Sequence, residues 1–172
     1  MERELLLECQ RNNRNAQRKV YENMAGRLYS VCKRYIKNDE DIEEVLADTF
    51  YKIFTKIDQL ENPETFEAWA KKIAVNECLQ KLRSNKALFI SLDENFIDSP
   101  SGNTDNISFE KDILNLLNFL PEGCRAIFNL FAIEGYPHKE IAAMLSISEG
   151  TSKSQLNFAR KKLQELLVNQ NI

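Results

Sequence analysis

The chain has 172 residues, 43% of them hydrophobic and 28% charged, with a formal net charge of −3. That is room for one ordinary domain or two small ones, and the composition of a globular protein rather than a disordered or fibrous one. No apolar run approaches the roughly 20 residues that cross a bilayer, and the opening "MERELLLECQRNNR" has charges on both sides of a very short apolar patch, unlike a signal peptide. Membrane insertion is therefore not expected, and the cytoplasm is the expected compartment. Cys9, Cys32, Cys78 and Cys124 form no C-x-x-C pair and have only His138 as an imidazole partner, so neither a zinc site nor a disulfide framework is indicated and no cofactor is expected. They read as reduced thiols, mostly buried.

In chain order, the N-terminal half predicts three helices. Tyr21, Met24, Leu28, Val31, Cys32 and Tyr35 recur at three- and four-residue steps, and so do Ile42, Leu46, Thr49, Phe50, Ile53 and Ile57, so each segment buries one stripe. Asn38 or Asp39 can cap the second of these helices. Its first turn, in the acidic run "KNDEDIEEVLAD", is rich in carboxylates that the helix dipole favours, a reason that does not extend to Asp48. The third helix starts at "NPETFEAW", with Asn62 as cap and Pro63 in first position, and its far end is basic, with Lys71, Lys72, Lys81, Arg83 and Lys86. Trp69 could stack on a base, but in register with Phe66 and Ile73 it reads first as core.

"SLDENFIDSPSGNTDNISFEKD", Ser91 to Asp112, has the Ser, Asn, Asp, Gly and Pro content of a linker. The expected organisation is all-α: two small helical domains, 1–88 and 108–172, joined by a flexible acidic linker, 89–107. Beyond it, Phe109, Ile113, Leu116, Leu117 and Leu120 make one stripe, and Cys124, Ile127, Phe128 and Phe131 the next, ending at Gly135. A short helix from Pro137, the turn "SIS" and a longer basic helix then have the form of a helix-turn-helix. On a helical wheel the last helix buries Leu156, Ala159, Leu163, Leu166 and Leu167. It presents Gly150, Ser154, Asn157, Phe158 and Lys161 on the other side, with Lys153 and Arg160 on one flank and Thr151, Gln155 and Lys162 on the other. These side chains can touch phosphates and base edges. A basic helix ending a domain is also commonly just a solvated surface, so the face alone does not decide.

The residues resemble a family. "LPEGCRAIFNLFAIEGYPHKEIAAMLSISEGTSKSQLNFARKKLQELL" (Leu120 to Leu167) resembles region four of the extracytoplasmic-function sigma factors of bacterial RNA polymerase. "DIEEVLADTFYKIF" (Asp41 to Phe54) resembles the polymerase-binding helix of region two, and "WAKKIAVNECLQKLR" (Trp69 to Arg83) its promoter-facing helix. The resemblance implies that Asp41, Glu44, Asp48 and Phe50 dock on core RNA polymerase. It implies that Asn62, Lys72, Asn76, Lys81 and Arg83 meet the minus-10 element of promoter DNA. Thr151, Lys153, Ser154, Asn157, Phe158, Arg160 and Lys161 would meet the minus-35 element, and an anti-sigma protein is a candidate partner. The sequence departs from the family pattern at Ala47, where Gln is usual, at Ser146, where Gly is common, at Ser152, where an apolar residue is usual, at Pro137, where Ser or Thr caps the helix, and at Phe158, where many members have Arg. At Ser146, where positive φ is often needed, either mild strain or a slightly different turn is expected. Phe158, pointing away from the buried stripe, is expected to meet a thymine methyl.

Two other readings stay open: a helix-turn-helix regulator acting without polymerase, and a helical interaction protein that binds no DNA. An enzyme is not expected, because no nucleophile–base spacing or Gly-rich phosphate loop occurs, and His138 reads as a plain surface position at a helix start.

Overall fold

The computed structural model describes residues 2–89 and 115–170, so almost all of the expected linker 89–107, together with Phe109 and Ile113, lies outside the described residues. Among the described residues every regular element is helical. The chain divides into two compact units, Met1–Lys81 and Leu82–Ile172, a division ahead of the boundary expected at 88. One reason lies in the 3-10 turn Lys86–Phe89, which belongs with the second unit. A Cβ on Gly123 would collide with the Leu88 carbonyl oxygen and stand 3.0 Å from the Phe89 ring, so only glycine admits this approach.

The first unit holds α1 (Arg3–Gln10), α2 (Arg14–Lys33), α3 (Asp39–Lys56) and most of α4 (Phe66–Ser84). The expected three helices are thus preceded by a fourth. It is short, buries only Leu6 and Cys9, and is fastened to the end of α3 where Gln10 Nε2 donates to the Ile57 carbonyl at 3.1 Å. Asn12 is left-handed at φ 60°, and the Asn12 and Asn13 amides turn back to the Cys9 and Glu8 carbonyls, closing α1. Asn13 then caps α2 by accepting from the amides of Asn15 and Ala16.

Asn38 caps α3 in the same way, its side chain accepting from the Asp41 amide at 3.0 Å. The facing stripes are Val20, Met24, Leu28, Val31 and Cys32 against Ile42, Leu46, Thr49, Phe50 and Ile53, all buried. Tyr21, expected in the stripe, is 47% exposed and lies at its rim against Phe50, ring centroids 4.6 Å apart. Thr49 satisfies its buried hydroxyl by donating to the Val45 carbonyl at 2.7 Å.

In the second unit a helical turn at 115–118 leads into α5 (Glu122–Phe128), which continues as a π-helical turn over Asn129–Ile133 and stops near Gly135, φ 78°. Helices α6 (His138–Leu145) and α7 (Glu149–Gln170) follow. Leu117, Leu120, Cys124, Ile127, Leu130, Ile141, Leu145, Leu156 and Ala159 form the core. Arg125 is also fully buried; its Nη1 donates to Asn118 Oδ1 at 2.9 Å, and Glu122 lies 3.8 Å from Nη2. Burial pulls its pKa down to about 10, against the pull of Glu122, which still leaves it a cation at neutral pH. All four cysteines are buried and free.

Candidate functional site

The acidic helix α3 keeps Glu44, Ala47 and Asp48 exposed, with Asp41 half-buried. Phe50 is not part of this surface: at 5% exposure it lies between Tyr21 and Phe54 and belongs to the core, as its place in the apolar stripe requires. Tyr51, 70% exposed and one turn on from Ala47 and Asp48, occupies the outward position instead. An exposed aromatic beside Asp48 is visible in the string "ADTFYKIF", but only the burial of Phe50 says which of the two rings faces out.

Lys81 of α4 changes the expected grouping. Its ammonium lies 2.9 Å from Asp41 and 2.5 Å from Glu44, and these carboxylates hold its pKa up at about 12. It lies on the far side of α4 from Lys72 and Asn76, so it joins the acidic face rather than a DNA-facing one. Beneath it, Lys52 bonds the buried Glu77 at 2.6 Å and ties α3 to α4 a second time.

The outer side of α4 carries Lys72, Asn76 and Gln80, all exposed, beside the half-exposed Trp69 and Ile73. Trp69 leans on the buried Phe66, centroids 6.1 Å apart, so it is an edge of the core with part of its ring open. Asn62 is exposed but already caps the turn Pro63–Thr65 by accepting from the Glu64 amide at 2.9 Å. Arg83, within the second unit, donates from Nη1 to the Met144 carbonyl at 3.2 Å.

The turn between α6 and α7 is built for its task. Ser146 sits at φ 56°, ψ 44°, and the Ser146 and Ile147 amides bond back to the Ala143 and Ala142 carbonyls, closing α6 with a left-handed residue where glycine would be unstrained. Ser148 caps α7, accepting from the Thr151 amide at 3.0 Å. Along α7, Lys153, Ser154, Asn157, Arg160 and Lys161 are exposed and share one broad side with Gly150. Thr151 is half-buried at its margin, its hydroxyl 2.9 Å from that of Ser148.

Phe158 departs from its expected place. It is half-buried and packs, with Phe128 and Leu163, on the cluster Leu117, Leu120, Cys124 and Ala159. The segment leading into α5 and α5 itself cover this flank of α7, so the buried arc is wider on that side than one apolar stripe implies. Gln155 lies in the same arc at 3% exposure, its Oε1 accepting from the Cys124 thiol at 3.8 Å, while Leu167 at the far end is 48% exposed.

Sequence periodicity also leaves out a polar contact between α6 and α7. Ser152 is fully buried, and its hydroxyl lies 2.9 Å from Nδ1 of His138. The His138 ring stacks on Phe131 at 4.8 Å, and the Arg160 guanidinium lies 5.4 Å from the centroid of the same Phe131 ring. The pairing of a lone histidine with a serine at an apolar position is the only trace of this in the sequence.

Fold and faces together define a two-unit helical protein that ends in a helix-turn-helix with a basic, hydrogen-bonding outer side. Comparison with known proteins agrees: residues 20–88 match the profile of Sigma-70 region 2, and residues 110–163 that of Sigma-70 region 4. The chain is 28% identical over 151 residues to the ECF RNA polymerase sigma factor SigE of Mycolicibacterium smegmatis, covering 84% of this chain and 58% of that one. It is 26% identical over 145 residues to the RNA polymerase sigma factor SigV of Bacillus subtilis, covering 84% and 87%. The structure of CnrH in complex with the cytosolic domain of CnrY has the same fold, with a TM-score of 0.51, 23% identity and 96% of both chains covered. The chain belongs to the extracytoplasmic-function sigma factors, the subunits that direct RNA polymerase to promoters. Among the described residues no helix is long and apolar enough to cross a membrane.

Proposed function

We propose that the chain docks on core RNA polymerase through the acidic side of α3, contacts the minus-10 element with the outer side of α4, and reads the minus-35 element with α7. The observation that carries this reading is the separation of the two kinds of surface. Glu44, Asp48 and Tyr51 project from α3, and Lys153, Ser154, Asn157, Arg160 and Lys161 project from α7 in the other unit. In this reading Lys81 shapes the acidic face and does not touch DNA. Lys72 and Asn76, next to the open part of the Trp69 ring, offer a cation, an amide and a stacking surface to an unpaired base, which is the combination that single-stranded nucleic acid needs. On α7, Ser154 and Asn157 face base edges, and Lys153, Arg160 and Lys161 set the register on phosphates.

The chain carries no bond-making chemistry of its own; the polymerase supplies it, and that role places the protein in the cytoplasm. CnrH was solved with the cytosolic domain of CnrY bound, and we propose that this chain likewise takes a protein partner of the anti-sigma kind. Transcription by core RNA polymerase from a library of randomised promoters, with and without the purified chain, tests the reading. Chain-dependent transcripts sharing two spaced sequence elements are expected. Specific duplex binding by the chain with no chain-dependent transcription would favour a polymerase-independent regulator.

A further inference from the structure

The contact between α6 and α7 leads to Arg160. A hydroxyl buried as fully as that of Ser152 is costly without a partner, and His138, the first residue of α6, supplies one at 2.9 Å. A hydrogen bond has a direction, so this bond fixes the rotation of the imidazole as well as its position. The fixed ring lies nearly parallel to Phe131, with 25° between the planes. Phe131, in the π-helical turn that ends α5, also holds the Arg160 guanidinium at 5.4 Å from its ring centroid. The run of contacts leaves α7 at Ser152, passes through α6 and the end of α5, and returns to α7 at Arg160, about two turns further along.

An arginine on an exposed helix side samples many rotamers, and binding must select among them. A guanidinium resting on an aromatic ring keeps its charge and its N–H donors while losing much of that freedom beforehand. An apolar pair in place of His138 and Ser152 would fill the same space without fixing a ring orientation. We propose that His138 is a positioning residue for DNA reading: held by Ser152, it sets the Phe131 ring, and Phe131 aims Arg160 at the DNA backbone. Neither His138 nor Ser152 touches DNA. The inference rests on the reading of α7 as the DNA-reading helix.

The test is a double-mutant cycle on the full chain assembled with core RNA polymerase, titrated onto duplexes that the wild-type assembly selects from a randomised pool. His138→Ala is expected to weaken binding about fivefold in the wild-type background and less than about twofold in the Arg160→Ala background, while the stranded Ser152 hydroxyl lowers the melting temperature equally in both. His138→Gln, which keeps a hydrogen-bonding group without a ring, behaves like His138→Ala and replaces it in the cycle if the alanine variant does not fold. His138→Phe with Ser152→Ala, which keeps a ring and strands no hydroxyl but loses the bond that orients the ring, recovers stability and little of the affinity; full recovery of affinity would overturn the inference. Equal losses of affinity in both backgrounds would overturn the inference while leaving the DNA reading in place. A wild-type assembly that selects no sequence overturns both.

Discussion

Between α3 and α4, cations are held against the fold: Lys81 bridges Asp41 and Glu44, and Lys52 bonds the buried Glu77. On α7 cations pair with carboxylates of the same helix in largely exposed contacts, Lys153 with Glu149 at 3.6 Å and Lys162 with Glu165 at 3.9 Å. Both helices read as basic, yet the neighbouring helix decides what a lysine does. Opposite the acidic α3, a lysine becomes structural; on α7, where the described pairs are with Glu149 and Glu165 of the same helix, lysines stay available for an external polyanion. A solvated pair such as Lys153 with Glu149 contributes little and opens readily, so it is no obstacle to binding phosphate.

The largest effect expected from this contrast is at Lys52. Lys52→Ala leaves the carboxylate of Glu77 buried without its partner, and should destabilise the first unit by about 3 kcal/mol. Lys52→Met with Glu77→Leu should recover most of that, as denaturant unfolding would show. A small effect of the single variant would place α3 and α4 in the same regime as α7.

Next in size is Phe158. Because its ring packs on Leu117, Leu120 and Cys124, Phe158→Arg should destabilise the second unit by about 2 kcal/mol instead of moving a base preference. Thermal unfolding beside a selection of randomised minus-35 sequences checks both halves of that statement. A stable variant with a shifted base would return Phe158 to the DNA-facing side.

Ser146→Gly relieves a left-handed residue, and the gain from the lost strain exceeds the entropy that glycine costs. A stabilisation of about 1 kcal/mol is expected, seen as a melting temperature several degrees higher. Lys161→Ala should leave stability unchanged, weaken all duplexes alike and reduce the salt slope of binding by about one. A sequence-dependent loss at Lys161 would mean that it reads bases.

Much of the fold was legible because apolar spacing and caps act locally. Asn38, Asn62 and Gly135 stand at the helix ends where their chemistry places them, and the helix-turn-helix follows from its short turn. The strain at Ser146 was legible for the same reason. What could not be read depends on a neighbour. The fate of Lys81 requires knowing that α3 lies beside it, and the burial of Phe158 requires knowing how far the segments around α5 wrap α7. Phe50 fits both an apolar stripe and a polymerase-binding motif, and only packing chooses between them. Helix α1 is only eight residues long, with three consecutive leucines that mark no single face, and the bond from His138 to Ser152 crosses between two helices, which spacing within either one cannot reveal.

The separation of roles between α3 and α7 is the central claim, and promoter selection by assembled polymerase tests it directly. Three chains would be assembled with core RNA polymerase and given the same randomised pool: wild type, Glu44→Ala with Asp48→Ala, and Asn157→Ala. The account predicts that the α3 variant recovers less DNA of unchanged sequence, while Asn157→Ala binds polymerase normally and loses discrimination at one minus-35 position, worth about 1 to 3 kcal/mol. An α3 variant that changes the selected sequence, or an Asn157 variant that loses polymerase, would contradict it.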